Sequence, residues 1–330
     1  MHTQQLTWQQ VIQQAITDPG EFIQCLGLDA SLIDAAQQAA TLFPLRVPRG
    51  FVARMRHGDV NDPLLRQVLP LGIETEFTPG FSNDPLGESD VNPLPGLLHK
   101  YHGRALMTMT SACGVNCRYC FRRAFPYDQN NPGSEGFENI LRYIDDDKTL
   151  SEIIFSGGDP LMVSDTLLAT RVKQLEKIPH LKRVRIHTRM PIIVPERICS
   201  ELLTWIQASR FQIILVVHAN HPNEVNDEVK HAMQKLRGLN VTVLNQSVLL
   251  KGVNDNAETL IALSEKLFDA HILPYYLHAL DRVQGAAHFD LPRATAISLH
   301  KSMQEKLPGF LVPKLVEEKA GAKSKWMVQC

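Results

Sequence analysis

Residues 113–123 read CGVNCRYCFRR and hold three of the six cysteines in a chain of 330. Cys113, Cys117 and Cys120 are spaced C-x3-C-x2-C, too densely for chance packing. In a reducing compartment such a cluster binds metal more often than it pairs as disulfides. Three is an awkward number for either use, since disulfides need pairs and a closed tetrahedral zinc site needs four ligands. A distant histidine, of which the chain has 13, could complete a zinc site. An iron–sulfur cubane on three thiolates instead leaves one iron open to an outside ligand. That openness turns an electron carrier into a place where a cosubstrate is bound and reduced. Cys25, Cys199 and Cys330 are scattered and read as small apolar fillers or incidental residues.

Such a loop needs a scaffold. From residue 104 short apolar runs alternate with longer helical stretches. The runs are ALMTMT (105–110), SEIIFS (151–156), RVRIHT (183–188), QIILVVH (212–218), VTVLNQSVLL (241–250) and ILPYYLH (272–278). Helices are expected near 135–146, 163–177, 195–208, 223–237 and 256–270. Strands that are apolar throughout and separated by helices imply a parallel sheet covered on both faces. Six βα units of this kind imply a partial or full βα barrel, in which chemistry gathers at the C-terminal ends of the strands. Each strand should therefore run at once into polar or glycine residues. The first enters the cysteine loop, the second GGDP, the third Arg189, the fourth ANHPNE and the last ALDRVQG. A turn alone explains glycine and proline at these points, but not Cys, His, Asp and Arg.

The first hundred residues differ in texture. LTWQQVIQQAI and ASLIDAAQQAATLF suit amphipathic helices, and prolines and glycines then punctuate the chain through PLRVPRGF, FTPGFSNDPLG and NPLPGLL. Hydrophobic residues make up 44% and charged residues 21%, with a net charge of −1. This balance is ordinary for a globular protein and supplies no field to attract nucleic acid or anionic lipid. No apolar run is long enough to span a membrane, and MHTQQLTWQQVIQQ lacks the basic-then-apolar pattern of a secretory signal. A cytoplasmic location is expected.

The C-x3-C-x2-C loop, with Tyr119 two residues after its second cysteine, resembles the radical S-adenosylmethionine superfamily. There the open iron chelates the methionine moiety, and a glycine-rich segment after the second strand holds its amino group. Here that segment is Ser156-Gly157-Gly158-Asp159-Pro160. Further stretches narrow the likeness. PGLLHKYHGRALMTMTSACGVNCRYCFRR, SGGDPL, NQSVLLKGVND and LDRVQGAAHF resemble lysine 2,3-aminomutases from about residue 45 to the C-terminal tail. The nearest branch is the bacterial one that makes (R)-β-lysine for elongation factor P.

The resemblance implies a radical-SAM partial (β/α)6 barrel over 101–306. A helical and wrapping extension at 1–100 precedes it, and a C-terminal segment at 307–330 carries a pyridoxal 5′-phosphate (PLP) lysine. Three cofactors are implied: a [4Fe–4S] cluster on Cys113, Cys117 and Cys120, S-adenosylmethionine, and PLP. Lys325 matches the PLP lysine, with Lys323 in reserve, and Lys100 and Arg104 match the positions that contact the PLP phosphate. Arg122 matches the arginine that grips the substrate carboxylate, while Arg118 and Arg123 would tune or shield the cluster. Asp281 and Glu318 match the two acids that receive the substrate's side-chain ammonium. Ser156, Gly157, Gly158, Asp159, His218 and Gln246 fall where S-adenosylmethionine contacts belong.

The implied reaction moves the amino group of L-lysine from Cα to Cβ after hydrogen abstraction by a 5′-deoxyadenosyl radical. The implied partners are lysine, a reductant such as flavodoxin, and, indirectly, elongation factor P with its lysyl-transferring ligase; a homo-oligomer is compatible. Two other readings stay open. One is an aminomutase of the same build for glutamate or arginine, and the other is a non-catalytic metal-binding module.

Overall fold

The computed structural model describes residues 6–239 and 241–328, so Cys330 lies outside the described residues. One nine-stranded sheet follows chain order from edge to edge. Its strands are β1 Leu97–Tyr101, β2 Arg104–Thr110, β3 Glu152–Gly157, β4 Arg183–Thr188, β5 Gln212–Val217, β6 Thr242–Val248, β7 Leu273–His278, β8 Lys314–Glu317 and β9 Trp326–Met327. β2 to β8 are parallel, while β1 and β9 close the two edges as antiparallel partners. The sheet does not join end to end, so the barrel is partial.

All six expected strands are present. A seventh parallel strand, β8, lies in the stretch read as a C-terminal tail. Its four residues, preceded by Pro308 and Pro313, are too short to show a period. The β1–β2 hairpin was also not anticipated. It turns at His102-Gly103, where Gly103 takes φ +77°, a conformation that costs glycine little.

Helices Gly133–Asp146, Asp165–Leu175, Ser200–Ala208, Asp227–Arg237 and Ala257–Asp269 fill the crossovers. Several begin later than expected because a polar cap fixes the first turn. Asn226 Oδ1 accepts from Val229 N at 3.1 Å, and Asn256 Oδ1 accepts from Thr259 N at 2.9 Å. Before Ser200, Pro195 starts only a short 3-10 turn. Helix Arg293–Lys306, which covers β7 and β8, was missed; it buries only Ala296 and Met303, leaving little amphipathic signal.

Strand alternation separates two faces. In β4, Val184, Ile186 and Thr188 are buried, while Arg183, Arg185 and His187 point to the opposite face. The apolar face joins one continuous core with the crossover helices. Trp8, Ile16, Phe22, Phe51, Leu64 and Leu65 of the extension belong to the same core. Among the described residues no helix is long and apolar enough to cross a membrane.

Candidate active site

The cysteine loop leaves the C-terminal end of β2 and is held by the extension. Asn116 N donates to Arg46 O at 3.2 Å, and Arg118 N donates to Gln67 O at 2.9 Å. Arg118 does not turn to the thiols. Its guanidinium is fully buried on Glu74, with Nη2–Oε2 2.6 Å, and Nη1 reaches Phe43 O at 2.7 Å. Arg123 shares the same carboxylate at 2.9 Å. Arg118 and Arg123 fasten the loop to the extension through one buried acid, and Arg123 also stands close enough to Cys120 for its charge to favour that thiolate. Truncating that acid leaves two buried cations unpaired, which typically costs about 3–5 kcal/mol. Glu74→Ala is therefore expected to lower the thermal midpoint by several degrees and weaken iron retention. Arg293→Ala, which removes a half-exposed pair with Glu317, should cost less than about 1 kcal/mol. Calorimetry on both variants checks the contrast.

The three thiols lie close enough for their charges to interact. Burial, with the neighbouring thiols, pushes Cys120 up to about 11 and Cys113 well above its usual value. Cys113 and Cys120 stay protonated at neutral pH unless a cation compensates their thiolates. Among the described residues no three His, Cys, Asp or Glu side chains converge on a single-ion site.

The loop after β3 packs directly on the start of the cysteine loop. Gly158 N donates to Thr110 O at 2.7 Å and Asp159 N to Ala112 O at 2.8 Å. A Cβ on Gly158 would stand 2.5 Å from Ala112 O, so the close approach of the two loops requires glycine there. Asp159 has a different role from the one expected. Its Oδ1 accepts from Leu161 N and the Thr188 hydroxyl, and its Oδ2 from Arg189 N and Met190 N. Four bonds leave its carboxylate no site for an ammonium group; it ties the β3 loop to the end of β4.

A second group gathers around Glu318, just past β8. Lys325 Nζ lies 2.9 Å from Glu318 Oε2, Tyr101 donates to Oε1 at 2.6 Å, and Lys100 Nζ is 3.5 Å from Oε1. Burial opposes the charge, but Lys325, with the Tyr101 hydroxyl and Lys100, outweighs it and holds Glu318 well below the usual carboxylate range. Asp281 feels the same field. Burial and the Glu318 charge push it up to about 7, against Lys325 and Lys100. Lys323, by contrast, is exposed. A cavity of about 480 Å³ lies alongside, with Asp281, Glu318, Arg293 and Lys319 in its wall, a volume in the range of small-molecule pockets.

Arg122, two residues past Cys120, is held by Glu88 and the end of β3. Its Nε and Nη2 donate to Glu88 at 2.8 and 2.6 Å, and Nη1 donates to Ser156 Oγ at 2.9 Å. Of five N–H donors, one on Nη1 and one on Nη2 remain. Arg104 packs over the Tyr101 ring at 4.7 Å, at the N-terminal start of β2. Arg185, two residues into β4 and not anticipated, shares the inner face and pairs with Glu152. As an alternating strand arginine it carries no sequence signal of its own. Gln246 is half-buried and pairs in register with Tyr276 of β7.

Several buried polar atoms on this inner face have no protein partner: Nε2 of His187, His218 and His278, and Nζ of Lys100 as a hydrogen-bond donor. Burial pushes His218 down to about 3, with Arg189 adding to the shift, and holds His187 and His278 well below the usual imidazole value. All three are neutral at pH 7. Unsatisfied buried nitrogens on a common face are the arrangement expected of a site built around ligands.

Strands, loop and thiols define a class first. A model of the Radical SAM superfamily matches residues 107–263. The chain is 48% identical over 318 residues to L-lysine 2,3-aminomutase of Haemophilus influenzae, covering 96% of this chain and 94% of the relative. It is 50% identical over 319 residues to the enzyme of that name from Escherichia coli, covering 96% and 93%. With that from Buchnera aphidicola it shares 44% over 319 residues, covering 96% and 94%. The chain belongs to the lysine 2,3-aminomutase family, whose members are isomerases. Membership implies a [4Fe–4S] cluster, S-adenosylmethionine and PLP.

Proposed function

We propose that this chain converts L-lysine to β-lysine, the (R) form, to supply the modification of elongation factor P, and that it depends on PLP. The observation that carries the substrate reading is the pairing of one anionic and one cationic reader across the site. Arg122 keeps two N–H donors for a carboxylate, and Glu318 with Asp281 faces a cation, a place Lys325 takes at 2.9 Å. An α-amino acid with a cationic tail satisfies both; glutamate would set its side-chain carboxylate against two acids. The elongation-factor branch is supported by glutamate at position 318, whose carboxylate meets Lys325, Lys100 and Tyr101 together.

When bound, the cluster with S-adenosylmethionine supplies a hydrogen-abstracting carbon radical, and PLP supplies a conjugated system across which an amino group can pass. The chain's own residues do the rest. Cys113, Cys117 and Cys120 hold the cluster and leave one iron open. Gly157 and Gly158 bring backbone close to the cosubstrate, and His218 and Gln246 offer neutral polar contacts beside it. Lys325 holds PLP, with Lys100 and Arg104 on its phosphate and Arg185 as a further cation. Arg122 orients the substrate carboxylate, held in plane by Glu88 and Ser156. In this reading the extension 1–100 closes over the barrel 101–306, and 307–330 brings in the PLP lysine. A low-potential donor such as flavodoxin provides the electron, and a homo-oligomer is compatible with these roles.

Anaerobic protein supplied with single amino acids tests the substrate. Lysine is expected to turn over and glutamate not; turnover of glutamate alone would defeat the reading. The acids add a pH dependence. Asp281 is ionised above about pH 7 and neutral below it, while lysine's ammonium stays protonated throughout. The KM for lysine is therefore expected to rise several-fold as pH falls from 8 to 6. Asp281→Asn should flatten that slope in initial-rate measurements.

A further inference from the structure

Arg189 stands at the end of β4, some seventy residues from the cysteine loop, yet its Nη1 donates to Cys117 Sγ at 2.8 Å. The arginines next to the thiols in sequence are committed elsewhere: Arg118 and Arg123 to Glu74, Arg122 to Glu88 and Ser156. Arg189 is 6% exposed and held from several sides. Its Nη2 reaches Gln67 Oε1 and Glu224 Oε2, each at 2.7 Å, and its backbone N reaches Asp159 Oδ2 at 2.7 Å. The anchors are themselves anchored. Glu224 Oε1 accepts from Asn220 N at 2.8 Å and from Gln67 Nε2 at 3.0 Å, and Asn220 Nδ2 donates to the Tyr119 hydroxyl at 2.7 Å. The guanidinium also lies 5.7 Å from the centroids of Phe51 and Tyr119.

A purely structural ion pair would turn the guanidinium's two-pronged edge to the carboxylate. Here Glu224 takes a single N–H, because its other oxygen is occupied by Asn220, His221 and Gln67. Nη1 is left directed at sulfur, in a position fixed by four segments distant in sequence. Hydrogen bonds to ligand sulfurs stabilise the reduced, more negative state of an iron–sulfur cluster and so raise its potential.

We propose that Arg189 is a positioning residue for the electron-transfer step, setting the cluster's reduction potential through its N–H bond to the Cys117 sulfur. This rests on the reading that Cys117 ligates the cluster. Without that bond the cluster would be harder to reduce and the reductive start of the reaction slower. Glu224 then serves Arg189, and Gln67 lets the extension take part in aligning it.

The test compares reconstituted wild type, R189Q and the double variant R189Q/E224Q. The double variant removes both buried charges and carries the test should the single one be unstable. Iron and sulfide are counted per chain, and the midpoint potential is found by redox titration followed by electron paramagnetic resonance. The expected result is full iron content with a midpoint more negative than wild type in both variants. An unchanged or higher midpoint with full iron would overturn the proposal. So would loss of iron from both variants, which would assign Arg189 to assembling the site. A wild-type chain that takes up no iron would instead defeat the cluster reading on which the proposal rests.

Discussion

Cys117→Ala is expected to give a folded, colourless, inactive protein: no broad visible absorbance after anaerobic reconstitution, and turnover at background. A cubane held by three thiolates loses one of only three protein ligands when one goes, and its fourth iron already depends on an outside ligand. The cost to the fold should be modest, about 1 kcal/mol, since the thiol is small and half-buried and the loop is pinned by Arg118, Asn116 and Gln67. Cys25→Ala, at an exposed thiol, is the matched control and should keep both absorbance and activity. An iron-free Cys117→Ala protein that still turns over would remove the cluster from the account.

The second large effect separates two lysines only two residues apart. Lys325→Ala is expected to abolish turnover and the yellow PLP absorbance that survives gel filtration, while Lys323→Ala stays near wild type. Lys325 points inward to Glu318 and lies 5.6 Å from the Tyr276 ring centroid, whereas Lys323 is exposed. With Lys325 removed, Glu318 keeps Lys100 and Tyr101 as partners. The fold should therefore tolerate the change, and circular dichroism should match wild type. Retained PLP in Lys325→Ala together with loss in Lys323→Ala would reverse the assignment.

The core of the barrel was legible because short strand-forming runs, apolar on at least one face, alternate with helical stretches and are closed by polar or glycine residues. The C-x3-C-x2-C loop was legible because cysteine is rare and its spacing specific. β8 was not, since four residues carry no period and the prolines before it read as the start of a tail. Buried Gln67, Glu74 and Glu224 were invisible for another reason. Gln67 and Glu74 lie in a stretch that reads as loop and Glu224 at the start of an expected helix, places where a polar residue is normally solvated, and only the fold shows the arginine each meets. Asp159 shows how a motif can be seen and its role mistaken. The sequence marks its place after the glycines, but its partners, Thr188, Arg189 and Met190, belong to a strand end some thirty residues on. Lys325 and Lys323 look alike in AGAKSK and are told apart by which of them faces Glu318.

The claim on which everything else depends is that the two poles of the site, Arg122 and the Asp281–Glu318 pair, bind lysine beside a radical source. Anaerobic incubation with L-lysine, S-adenosylmethionine, PLP and a reductant, followed by chiral chromatography, tests it most directly. The expected product is β-lysine in the (R) form, formed only when all four are present. Unchanged lysine in the presence of an intact cluster and bound PLP would contradict it.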